Sequence, residues 1–234
     1  MAFIKYKKED LNTLLIEAAV TRNIENVKSL LKQGADVDAR NENGSTAMML
    51  AAWYGHLDIV KYLVERGAKV DARDTNGDTA MMFAAWFGHL DIVKYLVDRG
   101  SDPNSTNNSG WTAMMYAVHH GYLDIVKYLV ARGAKVDARN IDGKTAMMFA
   151  AWYGHLDIVK YLVDHGADPS LKNNKGETAA MVAIKNDHKD IADYLNSVMQ
   201  LMKNKEKMIN SVGPGDITPK LNNELLRILR TPKE

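Results

Sequence analysis

Short apolar stretches recur along the chain at a constant interval, and polar turns separate them. Four stretches that begin TAMM are each followed by LDIVKYLV, and corresponding residues lie 33 positions apart. In the first LDIVKYLV, Ile59 and Leu63 fall on one stripe of a helix, whereas Lys61 lies off that stripe and should be solvated. Each interval therefore predicts two short helices. Neither is long enough to be stable alone, so neighbouring units must bury one another's apolar faces.

Turn and cap residues set the bounds of these helices. A turn such as Asn43-Gly44 supplies the left-handed backbone that a tight bend needs. A threonine follows, and its hydroxyl can cap the N-terminus of the first helix. A glycine then ends that helix. The capping threonines are Thr46, Thr79, Thr112, Thr145 and Thr178, and the terminating glycines are Gly55, Gly88, Gly121 and Gly154.

This combination resembles the ankyrin repeat, a 33-residue unit with a T-P-L-H helix start and a G-H-L-x-I-V junction. The junction reads GHLDIV at Gly55, Gly88 and Gly154, and GYLDIV at Gly121. TAMM replaces T-P-L-H in four units, and TAAM replaces it at Thr178. The loss of proline and histidine should lower stability slightly without changing the fold. Over roughly residues 9–203, the resemblance implies an all-α solenoid of stacked helix-turn-helix units with turn-rich hairpin fingers and polar capping repeats.

The repeat register divides the chain into an array, residues 1–205, and a tail, residues 206–234. Polar substitutions predict an N-terminal cap at 9–40 and a C-terminal cap at 173–205. Between the caps lie units one to four, residues 41–73, 74–106, 107–139 and 140–172. In the tail, a possible threonine cap and a proline predict a short amphipathic helix around 218–230. Its apolar face would hold Leu221, Leu225, Ile228 and Leu229.

Composition and charge narrow the class of protein. Apolar residues make up 46% of the chain and charged residues 25%, as in soluble globular proteins. A net charge of +1 gives no general field for recruiting nucleic acid or a membrane surface. Without cysteine there is no disulfide framework. No signal peptide or membrane span is recognisable, so we expect the protein to be cytoplasmic or otherwise intracellular, with export as an effector remaining open. We also expect it to be a monomer.

The near-identical units differ mainly where their first helices begin and end. Unit three carries Trp111 where its siblings have Ser, Asp or Lys, and His119-His120 where they have Trp-Tyr or Trp-Phe. Residues four apart share a helix face, so Trp111, Met115 and His119 should line up. The resemblance implies that turn tips and first helices form the concave partner surface. The predicted partner-binding residues are Trp53, Tyr54, Trp86, Phe87, Trp111, Met115, His119, His120, Trp152 and Tyr153, with turn-tip contacts Glu42, Ser45, Asp78, Asn108, Ile141 and Lys144.

Simpler explanations stand beside this one. The aromatic side chains could merely cover the first helices as partly buried packing. Six arginines repeat along the array, and we expect them to offset helix C-terminal dipoles and pair with nearby aspartates rather than recruit an acidic partner. They are Arg40, Arg66, Arg73, Arg99, Arg132 and Arg139, and the aspartates are Asp71, Asp74 and Asp137. The junction histidines His56, His89 and His155 should tie a helix end to the next loop.

The function predicted from these residues is the capture of another protein or peptide by an aromatic, methionine-rich concave groove. The alternative is a self-associating or autoinhibited array whose tail helix occupies its own or a neighbour's groove. No catalytic motif is present, and adjacent His119 and His120 point about 100° apart on a helix, so they cannot easily chelate one ion. We therefore predict neither an enzyme nor a metal site, and no cofactor.

Overall fold

The computed structural model describes residues 7–211, and the side chains of residues 7–207. Within this range the protein is all-α, which confirms the predicted fold class, and its one β-bridge joins Arg40 to Thr46. The helices are α1 Lys8–Val20, α2 Ile24–Lys32, α3 Ala47–Trp53, α4 Leu57–Glu65, α5 Ala80–Trp86, α6 Leu90–Asp98, α7 Ala113–His119, α8 Leu123–Ala131, α9 Ala146–Tyr153, α10 Leu156–Asp164, α11 Ala179–Lys185 and α12 Lys189–Ser211.

The first helix of each unit begins at its threonine. The Thr46 hydroxyl accepts a hydrogen bond from the Met49 amide at 3.3 Å, and the Thr112 hydroxyl accepts one from Met115 at 3.2 Å. The same cap recurs in the other units, which confirms the predicted role of these threonines. Because residue 46 or its equivalent is the cap, the residue before it lies outside the helix. This geometry decides which side chains share a surface.

Two layers of helices build the solenoid. First helices α1, α3, α5, α7, α9 and α11 pack in sequence against one another, and second helices α2, α4, α6, α8, α10 and α12 form the second layer. Alanine and methionine of the first layer and Ile, Val and Leu of the second are buried between them. Lys61 and Glu65 are exposed, as the helical pattern predicts. The first layer, with the turns that precede it, carries the variable residues.

Histidines at the helix junctions join each unit to the one before it. His56 Nε2 lies 3.1 Å from the Val20 carbonyl oxygen, and His89 Nε2 lies 3.0 Å from that of Trp53. The acceptor is therefore the end of the preceding unit's first helix, rather than the next loop. In unit three Tyr122 replaces the histidine, and its ring lies against Gly88. These contacts fix the spacing of the first helices.

Arginines make a second set of ties along the array. Arg40 donates to the carbonyl oxygen of Arg73, and Arg73 donates to that of Thr106. Arg139 likewise donates to Lys172. The guanidinium groups of Arg66, Arg99 and Arg132 instead lie over tyrosine rings. The predicted pairing with Asp71, Asp74 and Asp137 is wrong for the described residues, where Arg132 pairs with Asp98, because the arginines reach backbone carbonyls and aromatic rings instead.

The C-terminal cap ends in a long helix. Helix α12 begins at Lys189 and continues past the predicted boundary at residue 205 to Ser211. Among its residues up to Lys207, those that are buried, such as Ile191 and Leu195, lie in its first two turns. The predicted amphipathic helix around 218–230, with Leu221, Leu225, Ile228 and Leu229, lies outside the described residues.

Candidate binding surface

The variable ends of the first helices form one row of aromatic side chains along the array. Trp53, Tyr54, Trp152 and Tyr153 are exposed, with 38% to 51% of their surface accessible. Trp86, Phe87, Trp111 and His119 are half-buried, and His120 is exposed. We call this row the aromatic surface, and it includes the adjoining side chains of Leu50, Phe83, Tyr116 and Phe149. Nine of the ten predicted partner-binding residues therefore retain accessible side chains.

Met115 is the exception. It is 0% exposed, so its prediction as a partner-binding residue is wrong. The corresponding Met49, Met82 and Met148 are buried too, so the predicted methionine-rich lining of the groove is also wrong. The i, i+4 rule fails here because Trp111 precedes the threonine cap and is not in helical phase with Met115. The residue that follows each methionine lies beside the aromatic rings instead. These residues, which the sequence pattern did not single out, are Leu50, Phe83, Tyr116 and Phe149. The first three are half-buried, and Phe149 is buried against Trp111.

In units one and two the aromatic rings pack side by side. The ring centroid of Trp53 lies 5.2 Å from that of Phe83 and 4.7 Å from that of Phe87, with the ring planes tilted. Such pairs add stability beyond the area that they bury. Since Trp53 remains 38% exposed, this packing leaves part of its indole open.

Unit three is organised around Trp111 and His119. The Trp111 ring stacks on Tyr116 at 5.0 Å and lies 4.4 Å from Phe149 of unit four. The His119 ring stacks on Trp86 of unit two at 5.0 Å and meets the edge of Tyr153 at 4.3 Å. One continuous network of rings therefore connects units two, three and four.

This packing explains why two substitutions occur together in unit three. Trp111 covers the region between Tyr116 and Phe149 that the smaller Ser, Asp or Lys of other units would leave open. The ring at position 119 must then fit between Trp86 and Tyr153 with Trp111 6.1 Å away. An imidazole occupies less volume than the indole that units one, two and four carry there. The structure thus supports partly buried packing for the centre of the surface.

A partly buried polar cluster lies beneath this centre. Tyr116 donates a hydrogen bond to Asp78 Oδ1 at 3.0 Å, and Asn107 Nδ2 donates to the same oxygen at 2.9 Å. Asn107 Nδ2 also lies 2.8 Å from the Tyr116 hydroxyl. Burial raises the pKa of Asp78 above its ordinary value, although both hydrogen bonds oppose that shift. Burial and Asp78 together raise the pKa of Tyr116, so its hydroxyl stays protonated and donates.

The predicted turn-tip contacts divide into two groups. Ser45 and Asp78 are buried, so their prediction as surface contacts is wrong, because each lies under the turn just before the threonine cap. Glu42, Asn108 and Ile141 are exposed. Lys144 is half-buried, and its Nζ lies 5.1 Å from the ring centroid of Trp152.

Of the two central histidines, His119 is half-buried and His120 is exposed. Burial is the largest cause that lowers the pKa of His119, and neighbouring His120 and His155 lower it further. The pKa of His120 is also lowered, again mainly by burial. His119 Nδ1 is buried without a hydrogen-bond partner. Among residues 7–207, no group of three or more His, Asp or Glu side chains is arranged to hold a metal ion.

Comparison with known proteins agrees with the stacked helix pairs. The family model for ankyrin repeats in three copies matches residues 3–74, 69–140, 99–173 and 135–206. The chain is an ankyrin-repeat protein. Ankyrin repeats generally mediate protein–protein interaction, and proteins built from them are typically non-enzymatic scaffolds. No curated protein matches this chain. In the described part of this ankyrin array, no helix has the length and apolar character needed to cross a bilayer.

Proposed function

We propose that the aromatic surface binds a protein or peptide partner, with unit three determining which partner is accepted. The observation that carries this proposal is the row of accessible aromatic side chains from Trp53 to Tyr153. Aromatic side chains offer large contact area at a low cost in conformational entropy, which is why they dominate binding hot spots. Continuous apolar patches of this kind are uncommon on monomers that have no partner.

Differences between the units support a role in specificity. The buried second helices repeat LDIVKYLV without change, whereas the first helices differ at the residues that reach the aromatic surface. The stacked scaffold is the same in every unit and does not require the coupled change to Trp111 and His119, so this change alters the surface rather than the fold. Trp111 and the His119-His120 pair make unit three distinct in shape and polarity. The exposed tips Glu42, Asn108 and Ile141 would add contacts at the rim.

The test uses the full chain as bait in a lysate of the cells that produce it, followed by affinity measurement with the captured protein. Trp111→Ser and the double variant H119W/H120Y are informative, because unit one carries Ser45, Trp53 and Tyr54 at these positions. Urea unfolding first checks that each variant folds, since an indole at position 119 would have to fit beside Trp111. We expect each variant to weaken binding at least tenfold. Lys127→Ala, on the exposed side of α8, is the matched control and should bind normally. Unchanged affinity for both surface variants would refute the proposal.

A further inference from the structure

A cleft opens between units one and two, beside the least covered tryptophan of the N-terminal half. Its volume is about 510 Å³, and it lies between the turns that precede α3 and α5 and the ends of those helices. One side is aromatic and the other is formed by polar turn residues. The residues that the argument uses are Asn41, Ser45, Trp53, Asp74 and Phe83. None of the side chains lining the cleft is cationic.

Asp74 brings a negative charge that its turn does not require. Its Oδ1 accepts hydrogen bonds from the amides of Asn76 and Asp78 at 2.9 and 2.8 Å. An asparagine makes the same pair of bonds in each of the other turns, at Asn41, Asn107, Asn140 and Asn173. One side-chain oxygen is therefore sufficient for the turn. Within residues 7–207, no ion pair involves Asp74.

Unit four shows what a cation does at the corresponding place. Lys144 occupies the position that Ser45 holds in unit one, and Trp152 corresponds to Trp53. The Lys144 Nζ lies 5.1 Å from the Trp152 ring centroid and 5.8 Å from that of Phe149. An ammonium group at this distance from an indole face is attracted by the ring quadrupole. Because Ser45 is short, unit one has the indole and the open space without a lysine of its own.

We infer that this cleft accepts a lysine or arginine side chain from the partner, with the cation over Trp53 and its charge balanced by Asp74. The inference rests on the proposed function, because it assigns one contact of that partner. Charge complementarity favours a cation over an apolar side chain. The cleft has an accessible indole and, in Asp74, a carboxylate that forms no ion pair among residues 7–207. An apolar side chain would leave the Asp74 charge without a partner.

The test needs no identified partner. Nα-acetyl-lysine N-methylamide is titrated into the full chain while the indole N–H signal of Trp53 is followed by NMR, and the norleucine analogue serves as an uncharged probe of matched shape. We expect a saturable shift with the lysine probe, and binding about threefold to tenfold weaker with norleucine, the range of weak exposed charge contacts. Equal binding of both probes, or no saturable shift with lysine, would overturn the inference.

Two variants and a control locate the effect. Asp74→Asn should weaken binding of the lysine probe by the same factor, about threefold to tenfold. The variant should fold normally, because four other turns carry asparagine. Asp71→Asn removes the same charge from an exposed residue outside the cleft and should leave probe binding unchanged. Ser45→Lys installs the lysine of unit four and should abolish probe binding by occupying the cleft. Asp74→Asn binding like the wild type would contradict the assignment.

Failure of this inference can be told apart from failure of the proposed function. Probe binding that depends on Asp74, combined with partner affinity that ignores Trp111→Ser and H119W/H120Y, would leave the cation site standing and refute the broader surface. Partner affinity that depends on unit three, combined with no preference for the lysine probe, would support the broader surface and overturn the cation site.

Discussion

Removing a single hydroxyl tests the account of the polar cluster beneath unit three. The substitution is Tyr116→Phe, which keeps the ring that stacks on Trp111 and deletes the donor to Asp78 Oδ1. Asp78 would retain one side-chain donor, Asn107, at 2.9 Å. Asp78 is only 8% exposed, so water can replace the lost donor only in part. The carboxylate would thus lose a partner that solvent cannot fully replace.

Hydrogen bonds to charged groups contribute about 1.5–3 kcal/mol to stability. We expect the lower part of that range, about 1.5 kcal/mol, because Asn107 remains and Tyr116 is only half-buried. Tyr95→Phe is the matched control, because the Tyr95 hydroxyl is buried without any hydrogen-bond partner. Deleting it should leave stability unchanged or raise it slightly.

The assay is urea unfolding of the full chain, followed by circular dichroism at neutral pH and again in acid. As pH falls through the raised pKa of Asp78, the carboxyl becomes neutral and its bond from Tyr116 becomes weaker. The penalty of Tyr116→Phe should therefore shrink in acid, beginning above the pH at which an ordinary aspartate is protonated. Equal free-energy changes for Tyr116→Phe and Tyr95→Phe at neutral pH would refute this account.

Two further predictions concern the scaffold and the central histidines. Gly88→Ala should destabilise the array more than Gly133→Ala. Both glycines have positive φ, but only at Gly88 would the added Cβ lie 2.8 Å from the Tyr122 ring. Equal unfolding midpoints for the two variants would contradict this. Burial lowers the folded-state pKa of His119 and His120, so their contribution to stability is lost as pH falls below about 6.5. H119W/H120Y should lose less stability than the wild type between pH 7 and pH 5, and a loss as large as that of the wild type would argue against the assignment.

The fold could be predicted because its signals are local and repeated. Each threonine caps the helix that follows it, and each 33-residue interval contains the same buried residues. One repeat register therefore determined every helix pair at once.

The composition of the surface was harder to predict, since it depends on where helical phase begins. The i, i+4 spacing groups Trp111 with Met115, but this rule holds only inside a helix, and Trp111 precedes the cap. The correct neighbour is Tyr116, one residue further on. The sequence does contain a signal for these neighbours. The residue after each methionine varies between units, whereas the methionine itself does not; these variable residues are Leu50, Phe83, Tyr116 and Phe149.

Contacts between units carried the least sequence signal. The bond from Tyr116 to Asp78 joins residues 38 positions apart, and the other units do not repeat that pair. The cleft beside Trp53 depends on an absent side chain, the lysine that unit four has and unit one lacks. Neither follows from the periodicity of a single unit, because each requires the stacking geometry of two.

The measurement that tests the central claim most directly is acrylamide quenching of tryptophan fluorescence. It compares the full chain with a chain that ends at Ser211, where α12 ends. If the aromatic surface is open to an external partner, the exposed Trp53 and Trp152 should be quenched readily and equally in both chains. Tryptophans shielded in the full chain but quenched in the shorter one would show that residues 212–234 cover the surface. That result would contradict the account and favour the self-contact predicted as the alternative.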